Sequence, residues 1–253
     1  MSFREVISNS VTYMTAPGIQ ATHAFTTRYG GVSSGIYASL NLAQKAGDDI
    51  EKVKENYARI CRALGINTSD IVRNAQVHGN RIRVVTKEDT GKLFTQTPPE
   101  ADGLITNSPG VALMVYTADC VPVILHDPVK NVIGAVHAGW RGTASNIAGE
   151  AIKKMKDVFD CNCGDIRAAI GPCISKCCYE TDSDVSLALP EFSAKHGAKF
   201  MVDLKEANRC LLDKAGVRNI EISEECTSCK NDKYWSHRKT KGKRGIQATI
   251  IML

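Results

Sequence analysis

Two short apolar runs separated by a turn place the tightest constraint on how this chain can fold. The runs are Val121 to Leu125 and Val132 to Val136, and both are rich in β-branched residues, which is typical of buried strands. Asp127-Pro128 lies between them and predicts a turn. The pattern therefore predicts an antiparallel hairpin.

The far ends of this hairpin carry side chains that can act in catalysis or bind a metal. Cys120 precedes the first run and His137 follows the second, and the far ends of a hairpin lie side by side. The histidine can deprotonate the thiol to give a nucleophile, or both side chains can bind a metal such as zinc. In a third interpretation Cys120 is a small buried hydrophobe and His137 a hydrogen-bonded strand residue.

His78 is a candidate third ligand. Ile71 to His78 and Ile82 to Thr86 predict two strands that flank the hairpin-turn signal Gly79-Asn80, which would place His78 at a strand end. Three protein ligands leave one coordination position open, as in catalytic zinc sites. Asp119, beside Cys120, is expected either to orient a ligand histidine or a substrate hydroxyl, or to cap a turn.

Composition narrows the class of protein. The chain has 253 residues, 43% hydrophobic and 23% charged, and a formal net charge of +5, which is ordinary for a globular protein. Neither a signal-peptide pattern nor an apolar run of about 18 residues is present, so we expect a cytoplasmic protein without a membrane partner. The basic run from Lys239 to Arg244 predicts a solvated loop rather than a nucleic-acid site.

Because the sequence shows no signal-peptide pattern, its ten cysteines are predicted to be reduced thiols rather than disulfides. Cys226 and Cys229 form one C-x-x-C half without a clear second half. A structural zinc site that combined this pair with Cys161 or Cys177 is the less favoured alternative.

Helices and further strands fill the remainder of the chain. Helices are predicted over Asp48 to Leu64, Ala144 to Phe159, Ser183 to Leu189 and Leu204 to Ala215. The closing strand is predicted over Gln247 to Met252.

Several long motifs in a fixed order resemble one family. They are TTRYGGVSSGIYASLNLA, QVHG, TADCVPVIL, GAVHAGWRGT and the tetrapeptide Gly171-Pro172-Cys173-Ile174. Together they are similar to the laccase-domain, or YfiH-like, proteins, once described as multicopper polyphenol oxidases. The resemblance implies an α+β fold, a layered α/β/β/α sandwich with mixed sheets, forming a single domain over residues 1–253.

The same resemblance implies a purine nucleoside enzyme. It would be a phosphorylase acting on adenosine, inosine, guanosine and methylthioadenosine, with adenosine deaminase activity, and its substrates would be purine nucleosides and phosphate. The implied catalytic residues and zinc ligands are His78, Cys120 and His137, with Cu2+ as the alternative metal. The expected substrate-binding residues are Arg28, Asn41, Arg141 and Cys173, of which Arg141 offers phosphate a planar fork of donors.

Other functions use the same residues. Without a metal, Cys120 and His137 would form a cysteine hydrolase or amidase, for instance one that edits cell-wall precursors. A copper-dependent phenol oxidase ranks last, because six histidines are too few for the usual four-copper arrangement. A metal- or nucleotide-binding protein without catalysis is the fourth possibility.

Overall fold

Two six-stranded sheets and one three-stranded sheet form the framework of the computed structural model, which describes residues 2–44 and 47–253. The strands are β1 (Arg4–Ser8), β2 (Val11–Thr15), β3 (Thr22–Thr26), β4 (Ile71–Arg73), β5 (Ile82–Val84), β6 (Gly103–Thr106), β7 (Ala112–Thr117), β8 (Val121–Asp127), β9 (Val132–Ala138), β10 (Arg167–Ile170), β11 (Glu180–Thr181), β12 (Ser193–His196), β13 (Lys199–Val202), β14 (Asn219–Ile222) and β15 (Gln247–Met252). The helices are α1 (Ile50–Leu64), α2 (Trp140–Ala144), α3 (Ile147–Phe159), α4 (Ser183–Ala188), α5 (Leu204–Lys214) and α6 (His237–Thr240).

The sheets stack in layers. Sheet I has the order β1-β2-β3-β15-β7-β4, sheet II the order β14-β10-β8-β9-β6-β5, and sheet III the order β11-β13-β12. Phe25 and Leu113 of sheet I pack against Ile124 and Ile133 of sheet II in one buried cluster. Helix α1 covers the outer face of sheet I, and α3 and α5 cover that of sheet II. The predicted α/β/β/α sandwich is confirmed.

Both large sheets are mixed. The pairs β4–β7, β5–β6 and β10–β14 are parallel, whereas the other pairs within these sheets are antiparallel. The predicted hairpin is β8–β9, in which Pro122 pairs with His137 and Val121 with Ala138. All seven residues of each strand are buried, because sheet I covers one face and α3 the other.

The second predicted hairpin is wrong. Strand β4 ends at Arg73 and pairs with β7 in sheet I, whereas β5 pairs with β6 in sheet II. The segment between them therefore crosses from one sheet to the other. His78 lies in this crossing with a φ of 60°, so it does not end a strand.

The predicted helices are largely confirmed. Asp49 caps α1 through its side chain, and Gly65 ends it with a φ of 68°. The helix predicted from Ala144 to Phe159 is α3, which begins at Ile147 after Asn146, whose φ is 58°. The short helix α2 precedes it and was not predicted. Within the described residues, the structure contains no helix long and apolar enough to cross a membrane.

Candidate active site

The hairpin end and the crossing segment bring three predicted ligands together. The side-chain donor atoms of His78, Cys120 and His137 all lie within 4.8 Å of one another. The two imidazole rings are 4.8 Å apart between centroids and inclined by 77°. His137 is buried, Cys120 half-buried and His78 exposed, so the group, hereafter the His–Cys–His site, opens to solvent on one side.

Asp102 fixes both histidines of this site. One carboxylate oxygen, Oδ1, lies 2.8 Å from Nδ1 of His137 and accepts the backbone N–H of His78 at 3.0 Å. The other oxygen accepts the backbone N–H groups of Val77 at 3.2 Å and Gly79 at 2.8 Å. One buried carboxylate therefore orients the His137 ring and holds the loop that carries His78.

Asp102 is not among the predicted site residues, although it directly precedes β6. The pairing of β6 with β9 places Gly103 opposite Val136, so Asp102 lies beside His137. A carboxylate at the start of an apolar strand that neighbours a histidine-bearing strand was the available signal. This signal can be used only when the order of the strands in the sheet is known, and the sequence does not show that order directly.

The contacts of Cys120 with His137 favour a charged pair. Burial opposes charge on both groups, yet His137 lowers the pKa of the Cys120 thiol to about 6. The Cys120 thiolate and Asp102 raise the pKa of His137 to about 9, again against burial. The thiolate is the form that attacks electrophiles and the form that binds metals, so the arrangement suits either chemistry.

The backbone of neighbouring residues lies close to the side chains of the site. A Cβ atom at residue 139 would lie 2.5 Å from Nδ1 of His78, so Gly139 leaves the room that this ring occupies. His78 and Asp119 have φ values of 60° and 90°, in the left-handed region that favours glycine. Two non-glycine residues in this conformation beside one site indicate that the fold imposes their positions.

Asp119 turns its carboxylate toward the C-terminal part of the chain. Oδ1 accepts a hydrogen bond from the Thr227 hydroxyl at 2.7 Å, and Oδ2 accepts from the Ser236 hydroxyl at 3.1 Å. Oδ2 also accepts the backbone N–H of Arg238 at 2.7 Å, in the first turn of α6. These bonds match the capping interpretation of Asp119.

A cavity of about 500 Å³ opens over the His–Cys–His site. Apolar and aromatic side chains form part of its wall, namely Tyr116, Ile174, Tyr179 and Ile246. Basic side chains form another part, namely Arg73, His237, Arg238 and Arg244. The cavity thus combines possible metal ligands, flat apolar surface and positive charge.

Arg244 lines this cavity, and part of its guanidinium group is buried. Its Nη1 donates to the backbone oxygen of Gly245 at 3.0 Å, and its Nη2 lies 3.3 Å from Nδ1 of His237. Its buried Nε has no hydrogen-bond partner among residues 2–44 and 47–253. Burial also lowers the pKa of its guanidinium. The predicted solvated loop is exposed at Lys241 and Lys243, but Arg244 faces inward.

Two of the predicted substrate-binding residues lie away from the cavity wall. The Arg28 guanidinium donates to backbone oxygens of Ala38 and Asn231 and stacks on Trp235, 4.0 Å from its ring centroid. The buried Asn41 side chain donates to Asp48 and accepts the backbone N–H groups of Ala43 and Ile246. Their bonds hold the segment around residues 38–43 in place, and a role in binding substrate stays a prediction.

The other two predicted binders also lie off the wall. Arg141 is exposed in α2 and stacks on Trp140, with 4.3 Å between the guanidinium carbon and the ring centroid. Cys173 is fully buried in the core between sheet II and its helices, and burial raises the pKa of its thiol to about 12. The structure therefore brings together the three predicted metal ligands but not the four predicted substrate binders.

Similarity to known proteins extends over most of the chain. Residues 22–253 match the sequence model of a family described as multi-copper polyphenol oxidoreductase laccase. Purine nucleoside phosphorylase YlmD of Geobacillus stearothermophilus is 40% identical over 249 residues, which cover 93% of this chain and 91% of that protein. The purine nucleoside phosphorylase of Deinococcus radiodurans is 39% identical over 243 residues, covering 94% and 91%.

Solved structures share the same fold. The chain superposes on the crystal structure of Bacillus licheniformis hypothetical protein YfiH with a TM-score of 0.93 at 35% identity, covering 99% of this chain and 98% of that one. The crystal structure of YlmD from Geobacillus stearothermophilus gives a TM-score of 0.93 at 37% identity, with the same coverage.

Proposed function

The chain belongs to the multi-copper polyphenol oxidoreductase laccase family, and from that premise we propose that it is a zinc-dependent purine nucleoside phosphorylase with adenosine deaminase activity. Relatives named purine nucleoside phosphorylase support the first activity. The proposed substrates are phosphate and adenosine, inosine, guanosine or methylthioadenosine. The enzyme would be a transferase toward these nucleosides and a hydrolase toward adenosine.

The His–Cys–His site fits zinc by the chemistry of its donors. One thiolate and two imidazoles are ligands that zinc favours, and three of them leave a fourth position for water or substrate. A bound zinc ion would act as a Lewis acid and lower the pKa of a bound water. Asp102 would hold His137 in the tautomer that presents Nε2 to the ion.

Copper is the alternative ion for these ligands. Among residues 2–44 and 47–253, His78 and His137 are the only histidines in a group that could hold a metal. A four-copper phenol oxidase needs several histidine-rich centres, so the described residues do not supply that arrangement.

The unpaired Nε of Arg244 is the observation that carries the proposal. A buried guanidinium donor without a partner costs free energy until an acceptor, such as a phosphate oxygen, reaches it. Arg238 and His237 line the same cavity, so a phosphate there would meet three basic side chains. In phosphorolysis, a phosphate oxygen bonds to the ribose C1′, the C1′–N bond breaks, and the purine leaves with a proton.

The apolar part of the wall suits the purine. Tyr179 and Ile174 come from the segment before β11, and Ile246 comes from the segment before β15. Flat aromatic and branched apolar side chains can pack on both faces of a ring system. Deamination would use the same base position, since water adds at C6 of adenine and ammonia leaves.

The test begins with inosine, phosphate and purified zinc-loaded protein. We expect hypoxanthine and ribose 1-phosphate in equal amounts, and no hypoxanthine when phosphate is omitted. Adenosine without phosphate should give inosine and ammonia. A zinc-loaded protein that converts none of the four nucleosides would overturn the proposal.

A cysteine hydrolase or amidase, with cell-wall precursors as candidate substrates, is the second candidate function. The observation that favours it is the sequence of contacts from Cys120 to His137 to Asp102, which resembles a nucleophile, its base and an orienting carboxylate. A chelator discriminates the two functions. It should abolish activity of the zinc enzyme and leave that of a cysteine hydrolase unchanged.

We also propose that the protein acts in the cytoplasm. The ten cysteines are free of disulfides, which is usual for proteins of a reducing compartment and supports this proposal.

A further inference from the structure

Four cysteines that lie outside the cavity wall converge on one point. Cys177 and Cys178 follow the segment that contains Ile174, and Cys226 and Cys229 come about 50 positions later. Their sulfur atoms all lie within 4.8 Å of one another. The separations include 3.3 Å between Cys178 and Cys229, 3.6 Å between Cys177 and Cys229, and 3.8 Å between Cys177 and Cys178.

We propose that this four-cysteine cluster, Cys177, Cys178, Cys226 and Cys229, binds a structural zinc ion. Zinc–sulfur bonds of about 2.3 Å in a tetrahedron place the sulfur atoms about 3.8 Å apart. A disulfide would need about 2.05 Å. The separations therefore lie near the edges of a zinc tetrahedron and well above a sulfur–sulfur bond.

Backbone amides around Cys226 add a second, independent observation. Its sulfur accepts the N–H of Ser175 at 3.3 Å, and the N–H groups of Ser228 and Cys229 also hydrogen-bond to it. Such N–H donors compensate the negative charge of a metal-bound thiolate and fix its direction. Cys226 is also anchored by a parallel bridge to Cys173, with the N–H of Thr227 donating to the Cys173 oxygen at 3.0 Å.

The number and type of ligands indicate a structural role. Four thiolates complete a tetrahedron and leave no position for water, as in structural zinc sites. Cys177 and Cys229 are exposed, Cys178 is half-buried and Cys226 is buried, so an ion could enter from solvent.

The position of the cluster gives it a consequence for the cavity. The segment with Cys177 and Cys178 lies between the wall residues Ile174 and Tyr179. The segment with Cys229 leads to α6, where Arg238 donates to the backbone oxygens of Cys178 at 3.3 Å and Glu180 at 2.6 Å. Zinc in the cluster would join two segments that both supply residues of the wall.

Metal content of anaerobically purified protein tests the proposal. Wild type should contain about two zinc ions per chain, and Cys229→Ser and Cys120→Ala about one each. The matched control is Cys210→Ser, a half-buried thiol in α5 that contacts Glu206, and it should keep the wild-type count. An unchanged count in Cys229→Ser would overturn the proposal.

This test separates the cluster from the proposed function. If the His–Cys–His site held no metal, wild type and Cys120→Ala would both contain one zinc and Cys229→Ser none, which still supports the cluster. Iron in place of zinc would overturn the assignment of the ion.

A second measurement keeps all four cluster cysteines, so its result does not depend on whether Cys229→Ser folds. Cobalt(II) added to metal-free Cys120→Ala should give the intense visible and sulfur-to-cobalt absorption bands of a four-thiolate tetrahedron. Mass spectrometry after alkylation should show that zinc protects the four cluster thiols from the alkylating reagent. Addition of a chelator should make the same four thiols reactive. A Cys178–Cys229 disulfide in the freshly isolated protein, with no metal bound, would overturn the proposal.

Discussion

The His–Cys–His site and the four-cysteine cluster differ in what surrounds similar donors. The first has three ligands, a cavity of about 500 Å³ on its open side and a buried carboxylate behind His137. The second has four thiols, no carboxylate among its ligands, and backbone amides behind Cys226. An incomplete ligand set beside a cavity is suited to substrates, whereas a complete set between two segments is suited to holding them.

The groups that hydrogen-bond to the ligands also differ in what they can change at the two sites. A carboxylate beside an imidazole raises the basicity of the ligand and selects its tautomer, which matters for an ion that takes part in chemistry. Backbone amides beside a thiolate mainly stabilise its charge. The contrast teaches that the number of ligands and the groups behind them together distinguish a reactive centre from a structural one.

Removal of Cys120 should produce the largest effect. We expect Cys120→Ala to lower kcat/KM for inosine phosphorolysis by at least about 10³-fold, because the substitution removes one of the three proposed zinc ligands. The four-cysteine cluster should keep its zinc in the same protein. Steady-state kinetics and metal analysis on one preparation check both statements, and loss of the cluster zinc would remove the distinction between the two regions.

The next largest effect is expected at Asp102. Asp102→Asn keeps the shape of the side chain but removes the charge that His137 and the 77–79 amides share. We expect zinc affinity of the His–Cys–His site or activity to fall about 10–100-fold. Competition with a chelator measures the affinity, and cluster zinc serves as the internal control. Equal weakening of both sites would show general destabilisation instead.

A smaller and more selective effect is expected at Arg244. Arg244→Ala should raise KM for phosphate about 10-fold or more, since a charge-assisted hydrogen bond contributes roughly 1.5–3 kcal/mol. Lys243→Ala removes the same positive charge from an exposed neighbouring residue and should leave KM for phosphate unchanged. Initial rates over a range of phosphate concentrations measure both variants. Equal effects would mean that only long-range attraction is at work.

Loss of the cluster zinc should affect turnover least. We expect Cys229→Ser to raise KM for the nucleoside a few-fold with kcat nearly unchanged, because the wall shifts while the His–Cys–His site stays intact. Its Tm should fall by at least about 5 °C, since 1 kcal/mol corresponds to about 2–4 °C in a chain of this size. Calorimetry beside Cys210→Ser checks this. A large fall in kcat would place the cluster in the chemistry.

The sequence predicted features that adjacent residues determine. The β8–β9 hairpin depends on two apolar runs and the turn between them, and it placed Cys120 and His137 side by side without knowledge of the sheets. Helix α1 depends on a cap at Asp49, an apolar face and Gly65. In both cases the determining residues lie within one short stretch.

Features that depend on strand order escaped prediction. The loop around His78 has the residues of a hairpin turn, but its amides bind a carboxylate 24 positions later instead of a partner strand. The sequence left the partner of the Cys226–Cys229 pair open between Cys161 and Cys177, and the structure brings Cys177 and Cys178 to it. Cys178 and Cys229 are 51 positions apart and meet because β10 and its following segment lie beside the segment after β14. Arg141 follows His137 in sequence yet lies outside the cavity wall, whereas the more distant Arg244 lies within it.

The place of β15 within sheet I has a consequence for synthesis. This strand lies in the interior of the sheet, between β3 and β7, although residues 247–252 are made more than a hundred residues after β7. Until those residues leave the ribosome, β3 and β7 each have an open edge that can pair with another nascent chain. Arg244 arrives in the same late step, so the growing polypeptide is exposed to aggregation for as long as it lacks the proposed phosphate-binding wall.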